Sequence, residues 1–154
     1  MLNRFAQFSY MISNIYRNIQ KIEHDEMVKL GYKGAYAKYL VVMFQQPKGI
    51  TSTKLCEICD KNKAAVSRML AEMEDKGLVI RNRSYNALIT LTKKGESIAK
   101  YVCHKAEMAV DEVGKTLSPD QRQLLYSTLN QLSGAIHHLS EEGLPHIQIH
   151  IEGE

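Results

Sequence analysis

Two short helical patterns separated by three residues constrain this chain more than any other feature. The first, "TSTKLCEIC" (51–59), sets Leu55, Cys56, Ile58 and Cys59 on one side behind a capping Thr51. The second, from Lys63 to Lys76, repeats Val66, Met69, Leu70 and Met73 at helical spacing; it opens at a capping Asn62 and stops at Gly77 in the position after the helix end. Only "DKN" (60–62) joins them, which makes a tight turn. Two short helices joined in this way form the helix-turn-helix arrangement, in which the second helix is presented by its N-terminal residues.

If Val66, Leu70 and Met73 face a core, Lys63, Ala64, Ser67 and Arg68 face outward. Small side chains between polar and cationic ones leave a low, charged helix end. Alanine methyls allow close approach to base edges, Arg68 can fork onto a guanine or grip a phosphate, and Ser67 can bond to either. Asn62 and the amides at the helix start suit a phosphate oxygen. The charge distribution agrees. The net charge is only +3, yet Lys61 to Lys94 carries eight Lys/Arg against three acids, and the rest carries twelve bases against fourteen acids. One basic segment in a slightly acidic chain is the asymmetry expected of a phosphate footprint.

Around this centre the pattern predicts a mainly α fold with a small β-hairpin. Residues 4–24 read as a helix whose Phe5, Phe8, Ile12, Ile15, Ile19 and Ile22 recur with a period near 3.5. A second helix over 34–46 places Ala37, Leu40, Val41 and Phe44 on one side and stops before Pro47. "LVIRN" and "ALITLT" around "RSY" form the hairpin, and "KKG" leads into a long helix over 94–115. Ser118, Pro119 and Gln121 open the last helix with a capping box; its stripe is Leu125, Leu129, Leu132, Ile136 and Leu139.

The segment "TSTKLCEICDKNKAAVSRMLAEMEDKGLVIR" followed by "LITLTKKG" resembles the MarR family of winged-helix regulators. The resemblance is close over residues 51–95, and the flanking long helices fit the family's layout. It implies a winged helix-turn-helix at 34–95, between an N-terminal dimerisation helix (1–30) and C-terminal dimerisation helices (96–142), with an extension at 143–154. It also implies a homodimer on double-stranded DNA at a pseudo-palindromic operator, usually repressing, and in many relatives released by a small-molecule effector. The DNA-facing residues would be Thr51, Ser52, Lys61, Asn62, Lys63, Ala64, Ala65, Ser67 and Arg68, with Arg81 and Arg83 from the wing. The chain departs from the family at the wing tip: Arg83 stands where relatives carry an Asp, and Tyr85 where they carry an Arg. Lys61 stands where relatives often place an apolar residue.

Dimerisation has a separate basis. The stripes at residues 5–22 and 125–139 lie at opposite ends of the chain, and a lone subunit leaving both open would expose more apolar surface than soluble monomers usually do. Phe5, Phe8, Ile12 and Ile15 are expected in that interface with the stripe of the last helix. An effector pocket, placed by the resemblance near the first two helices, would draw on Tyr10, Tyr16, Tyr36 and Tyr39.

Other constellations are weaker. Cys56 and Cys59 form C-x-x-C on the buried side of a helix, where thiols act as small hydrophobes, and no Cys/His quartet accompanies them. Cys103 is a conceivable redox handle, and His104 with Glu107 has metal spacing with His24 as a third ligand; each is read as structural. A thiol- or metal-responsive regulator of the same fold and a protein-docking winged helix stand as the alternatives. The tail "PHIQIHIEGE" alternates Ile147, Ile149 and Ile151 with polar residues including His146 and His150, and reads as an extension. No cofactor or metal is expected. No phosphate-cradling glycine loop or triad signature suggests an enzyme. The polar N-terminus and the lack of a long apolar run point to the cytoplasm.

Overall fold

The computed structural model describes residues 3–82 and 87–144. Arg83, Tyr85 and the wing tip lie outside the described residues, as do the tail residues His146, Ile147, Ile149, His150 and Ile151 and the side chain of Phe5. The elements run α1 (Arg4–Lys29), α2 (Tyr36–Phe44), α3 (Ser52–Cys59), α4 (Lys63–Asp75), β1 (Val79–Arg81), β2 (Ile89–Leu91), α5 (Lys93–Gly114) and α6 (Pro119–Glu142). Two compact units result, Met1–Val110 and Asp111–Glu154. No helix among the described residues is long and apolar enough to cross a membrane.

The first unit is built around α2. The face predicted there was Ala37, Leu40, Val41 and Phe44, but Val41 and Phe44 are half-buried while Tyr36, Tyr39, Val42 and Met43 are buried with Ala37 and Leu40. α1, α3 and β2 all pack on this helix, so it has no single wet face. Leu55 and Cys59 of α3, Val66, Leu70 and Met73 of α4, and Leu78, Val79 and Ile89 of the hairpin complete the core with Met27, Ala99 and Val102. Ile58, expected inside, is 40% exposed. In an eight-residue helix only the side carrying Leu55 and Cys59 reaches the core, and Ile58 lies off it.

Three helices stop by the same device. After α3, Asp60 turns left-handed (φ 52°), with Asp60 N donating to Glu57 O and Lys61 N to Cys56 O. After α4, Gly77 N donates to Glu74 O and Leu78 N to Met73 O, with Gly77 at φ 68°. α1 closes identically, with Gly31 N bonded to Val28 O and Tyr32 N to Met27 O. These paired bonds satisfy carbonyls that a helix end leaves open. α1 thereby runs to Lys29, beyond the expected end near residue 24.

β1 and β2 pair antiparallel in the register Val79↔Leu91, Ile80↔Thr90, Arg81↔Ile89. Ile50 joins them by a two-way bridge, donating to and accepting from Ile89 at 3.0 and 2.8 Å. The helix-turn-helix is thus tied to the hairpin at the residue just before the Thr51 cap. The base of the hairpin also starts α5. Thr92 Oγ1 accepts from Gly95 N at 3.0 Å and donates to Gly77 O at 2.7 Å, while Thr92 N bonds to Leu78 O.

α1 has two fates along its length. Glu26 and Met27 are buried and Ile19 and Ile22 half-buried, whereas Tyr10, Met11, Ile12, Ile15 and Tyr16 are exposed. α6 is opened by the capping box, Ser118 N bonding to Gln121 Oε1 and Gln121 N to Ser118 Oγ. It buries no residue; Leu125, Leu129, Leu132, Ile136 and Leu139 are all exposed.

Gly95 has a close-approach role. A Cβ there would stand 2.0 Å from the Leu78 carbonyl oxygen, a backbone atom that cannot swing away. Helix propensity alone favours Gly95→Ala by roughly 1 kcal/mol. We expect instead a loss of about 1–3 kcal/mol from overpacking, read as a lower urea midpoint; a raised midpoint contradicts the contact.

Candidate nucleic-acid interface

α4 receives its orientation from both ends and one face. Asn62 Oδ1 accepts from Ala65 N at 2.8 Å, capping the start, and the Gly77 turn closes the end. Val66 and Met73 are fully buried and Leu70 nearly so, which rotates Lys63, Ala64, Ser67 and Arg68 into solvent. Lys61 and Asn62 in the turn are exposed as well, while Ala65 is half-buried. Thr51 caps α3, accepting from Lys54 N at 3.2 Å; Thr51 and Ser52 are half-buried.

The electrostatics of this end are one-sided. Among the described residues no ion pair engages Lys61, Lys63 or Arg68, and the first turn of α4 holds no acid. The positive pole of the helix adds to these charges. Acids appear only further along α4, and two of the three, Glu72 and Glu74, are occupied. Glu72 Oε2 accepts from Lys33 Nζ at 2.6 Å and from the Tyr36 hydroxyl at 3.2 Å; the bond from Lys33 is the main reason its carboxyl sits below the usual range. Glu74 Oε2 accepts from Arg81 Nε and a terminal guanidinium nitrogen at 2.9 and 2.6 Å, and Glu74 Oε1 accepts from Arg81 N at 3.3 Å. Arg81 is therefore folded back onto α4, its guanidinium already committed. The Lys33–Glu72 cluster carries no local signature, because its partners lie 39 residues apart.

A cleft of about 360 Å³ opens beside α4, walled by Glu23 of α1, Lys38 and Tyr39 of α2, Cys59 of α3, and Ala65 and Met69 of α4. Of the four tyrosines expected at a pocket, only Tyr39 lines it. Tyr36 is buried in the core with its hydroxyl on Glu72, and Tyr10 and Tyr16 lie on the exposed part of α1. Burial raises the Glu23 carboxyl and the Cys59 thiol above their usual ranges, so Cys59 is a poor thiolate. Cys56 is half-buried, and all three cysteines are free thiols. Cys103 is likewise raised by burial, with Glu23 and Glu107 adding to it. His104 Nδ1 stands 3.9 Å from Glu107 Oε2, both exposed, and His24 packs over Gly34 beside Asp25. No group of three metal-ligating side chains gathers among the described residues.

No protein-family model and no curated protein sequence matches the chain. Solved structures do. A crystal structure of MarR matches at 20% identity with a TM-score of 0.75, covering 92% of this chain and 99% of that one. The oxidized form of MarR from E. coli matches at 21% and 0.68, covering 86% and 96%. A MarR-family protein of Mycobacterium tuberculosis in complex with DNA matches at 22% and 0.64, covering 80% and 95%. At such identities the likeness is one of fold: the chain has the winged-helix architecture of MarR-family transcriptional regulators.

The cap that opens α4 has a measurable weight. Asn62→Ala leaves the Ala65 amide without its partner, and a loss of about 1 kcal/mol is expected in urea unfolding. Unchanged stability shows that the cap is dispensable.

Proposed function

We propose that this protein is a MarR-family transcriptional regulator that reads double-stranded DNA through the N-terminal end of α4. The observation that carries this reading is the cluster of exposed cations, without an ion-pair partner among the described residues, at a capped helix start among side chains small enough for the backbone to approach a groove floor. Arg68 and Ser67 read base edges, Lys61 and Lys63 hold phosphates, and Asn62 with the first amides of α4 meets a phosphate oxygen. Thr51 and Ser52 at the start of α3 bear on the backbone beside it. Arg81 contributes by holding the wing against Glu74, and Arg83 remains a candidate for the adjacent groove. Support also comes from the shared fold with a DNA-bound relative.

The active species on this reading is a homodimer. The exposed leucines and isoleucines of α6, with Ile12 and Ile15 of α1, need a partner, and a second copy supplies the twofold axis that sets two recognition helices about 34 Å apart along one face of the duplex. Repression follows from occupying a promoter. The cleft beside α4 is the place for an effector, since a molecule seated there touches Ala65 and Met69 on the inner side of the recognition helix.

The test is selection of duplexes from a random pool by the purified protein, followed by titration at two salt concentrations. Affinity should fall steeply with salt, as counterion release requires. Arg68→Ala should weaken the selected site by roughly 1–3 kcal/mol while sparing random DNA. Failure to enrich any duplex at low ionic strength would refute the proposal. For the assembly, Leu132→Glu should shift sedimentation from dimer to monomer or unfold the chain; an unaltered dimer removes the α6 stripe from the interface.

A further inference from the structure

Arg68 and Glu72 stand one helical turn apart on α4, the spacing at which opposite charges pair across a helix surface. They do not pair: no ion pair engages Arg68 among the described residues, and Glu72 is held elsewhere. Both of its described contacts fall on Oε2, from Lys33 Nζ at 2.6 Å and the Tyr36 hydroxyl at 3.2 Å. Lys33 comes from the segment just before α2, and Tyr36 is rooted in the core at 2% exposure. The bond from Lys33 is the first influence on the Glu72 carboxyl, whereas Arg68 acts on it only at a distance and most weakly.

We propose that Lys33 is a positioning residue for DNA binding: by occupying the Glu72 carboxylate it keeps the Arg68 guanidinium available to the duplex. This rests on the DNA-reading function proposed above. Without Lys33, Glu72 bears an uncompensated charge one turn from Arg68. Two effects then act in the same direction. The carboxylate draws the guanidinium back along the helix, and it repels approaching phosphates. The Tyr36 hydroxyl does not replace Lys33, because it bonds to the carboxylate without neutralising it.

Lys33 is itself 64% exposed, so a direct contact from Lys33 to a phosphate is the rival to exclude. A double-variant cycle on a duplex selected by the wild type separates the two. Lys33→Met should weaken binding about two- to fivefold at low salt, the strength of a surface ion pair. Lys33→Gln, made in parallel, should do the same, and Lys33→Arg should bind as wild type. Glu72→Gln should bind as wild type or tighter. Lys33→Met/Glu72→Gln should recover wild-type affinity with the wild-type salt slope, a recovery that neither a folding defect nor a lost phosphate contact produces. The inference is overturned if Lys33→Met binds normally. It is equally overturned if the double variant stays weak with a salt slope shallower by about 0.9, the mark of one lost phosphate contact. A wild type that enriches no duplex overturns the function and this inference together; a wild type that binds while the double variant stays weak overturns this inference alone.

Discussion

The burial of one face of α4 governs the rest of the structure. Val66, Leu70 and Met73 enter the core together with Leu78, which follows directly from the helix end. With 3.6 residues per turn, committing these side chains inward leaves no freedom over which ones point outward. Lys63, Ala64, Ser67 and Arg68 are exposed because their neighbours are needed inside. A packed interior does not deform smoothly, so the helix cannot roll to present another face without losing those contacts. The same burial brings β1 onto α4, while β2, paired with β1, packs on α2 and bridges to Ile50 through Ile89.

Polar contacts refine what packing sets. Glu72 and Glu74, two residues apart on α4, face different partners: one is held from the segment before α2, the other from β1. Glu72 and Glu74 are thereby neutralised within the chain, while among the described residues no ion pair engages Lys61, Lys63 or Arg68 near the helix start. The outcome is a helix with a cationic start whose two glutamates are compensated from within the fold. The exposed Lys33–Glu72 pair adds little stability, and the Arg81–Glu74 pair is half-buried. Their larger effect is on where charge remains.

The two apolar stripes of similar period show how far pattern and fate diverge. α1 is buried at Glu26 and Met27, toward its C-terminal part, where Tyr101 of α5 donates to Glu26 at 2.9 Å, while Ile12 and Ile15 of its stripe are exposed. The stripe of α6 buries nothing. Period alone states that a face is apolar, and the partner that covers it is decided elsewhere.

The amino-acid sequence by itself determined what hydrogen bonds over a few residues can enforce. Thr51, Asn62 and Ser118 cap the helices they were expected to cap, Gly77 ends α4, and the helix-turn-helix, hairpin and long helices follow in the expected order. Tertiary structure alone decided the rest. It made α2 a helix buried on nearly every side and left Ile58 in water. It also folded Arg81 onto Glu74, joined Lys33 to Glu72, and shaped a cleft that takes Tyr39 and passes over Tyr10, Tyr16 and Tyr36. The physical reason is range. Caps and turns are settled by neighbours along the chain, whereas burial and charge pairing depend on residues that only folding brings together.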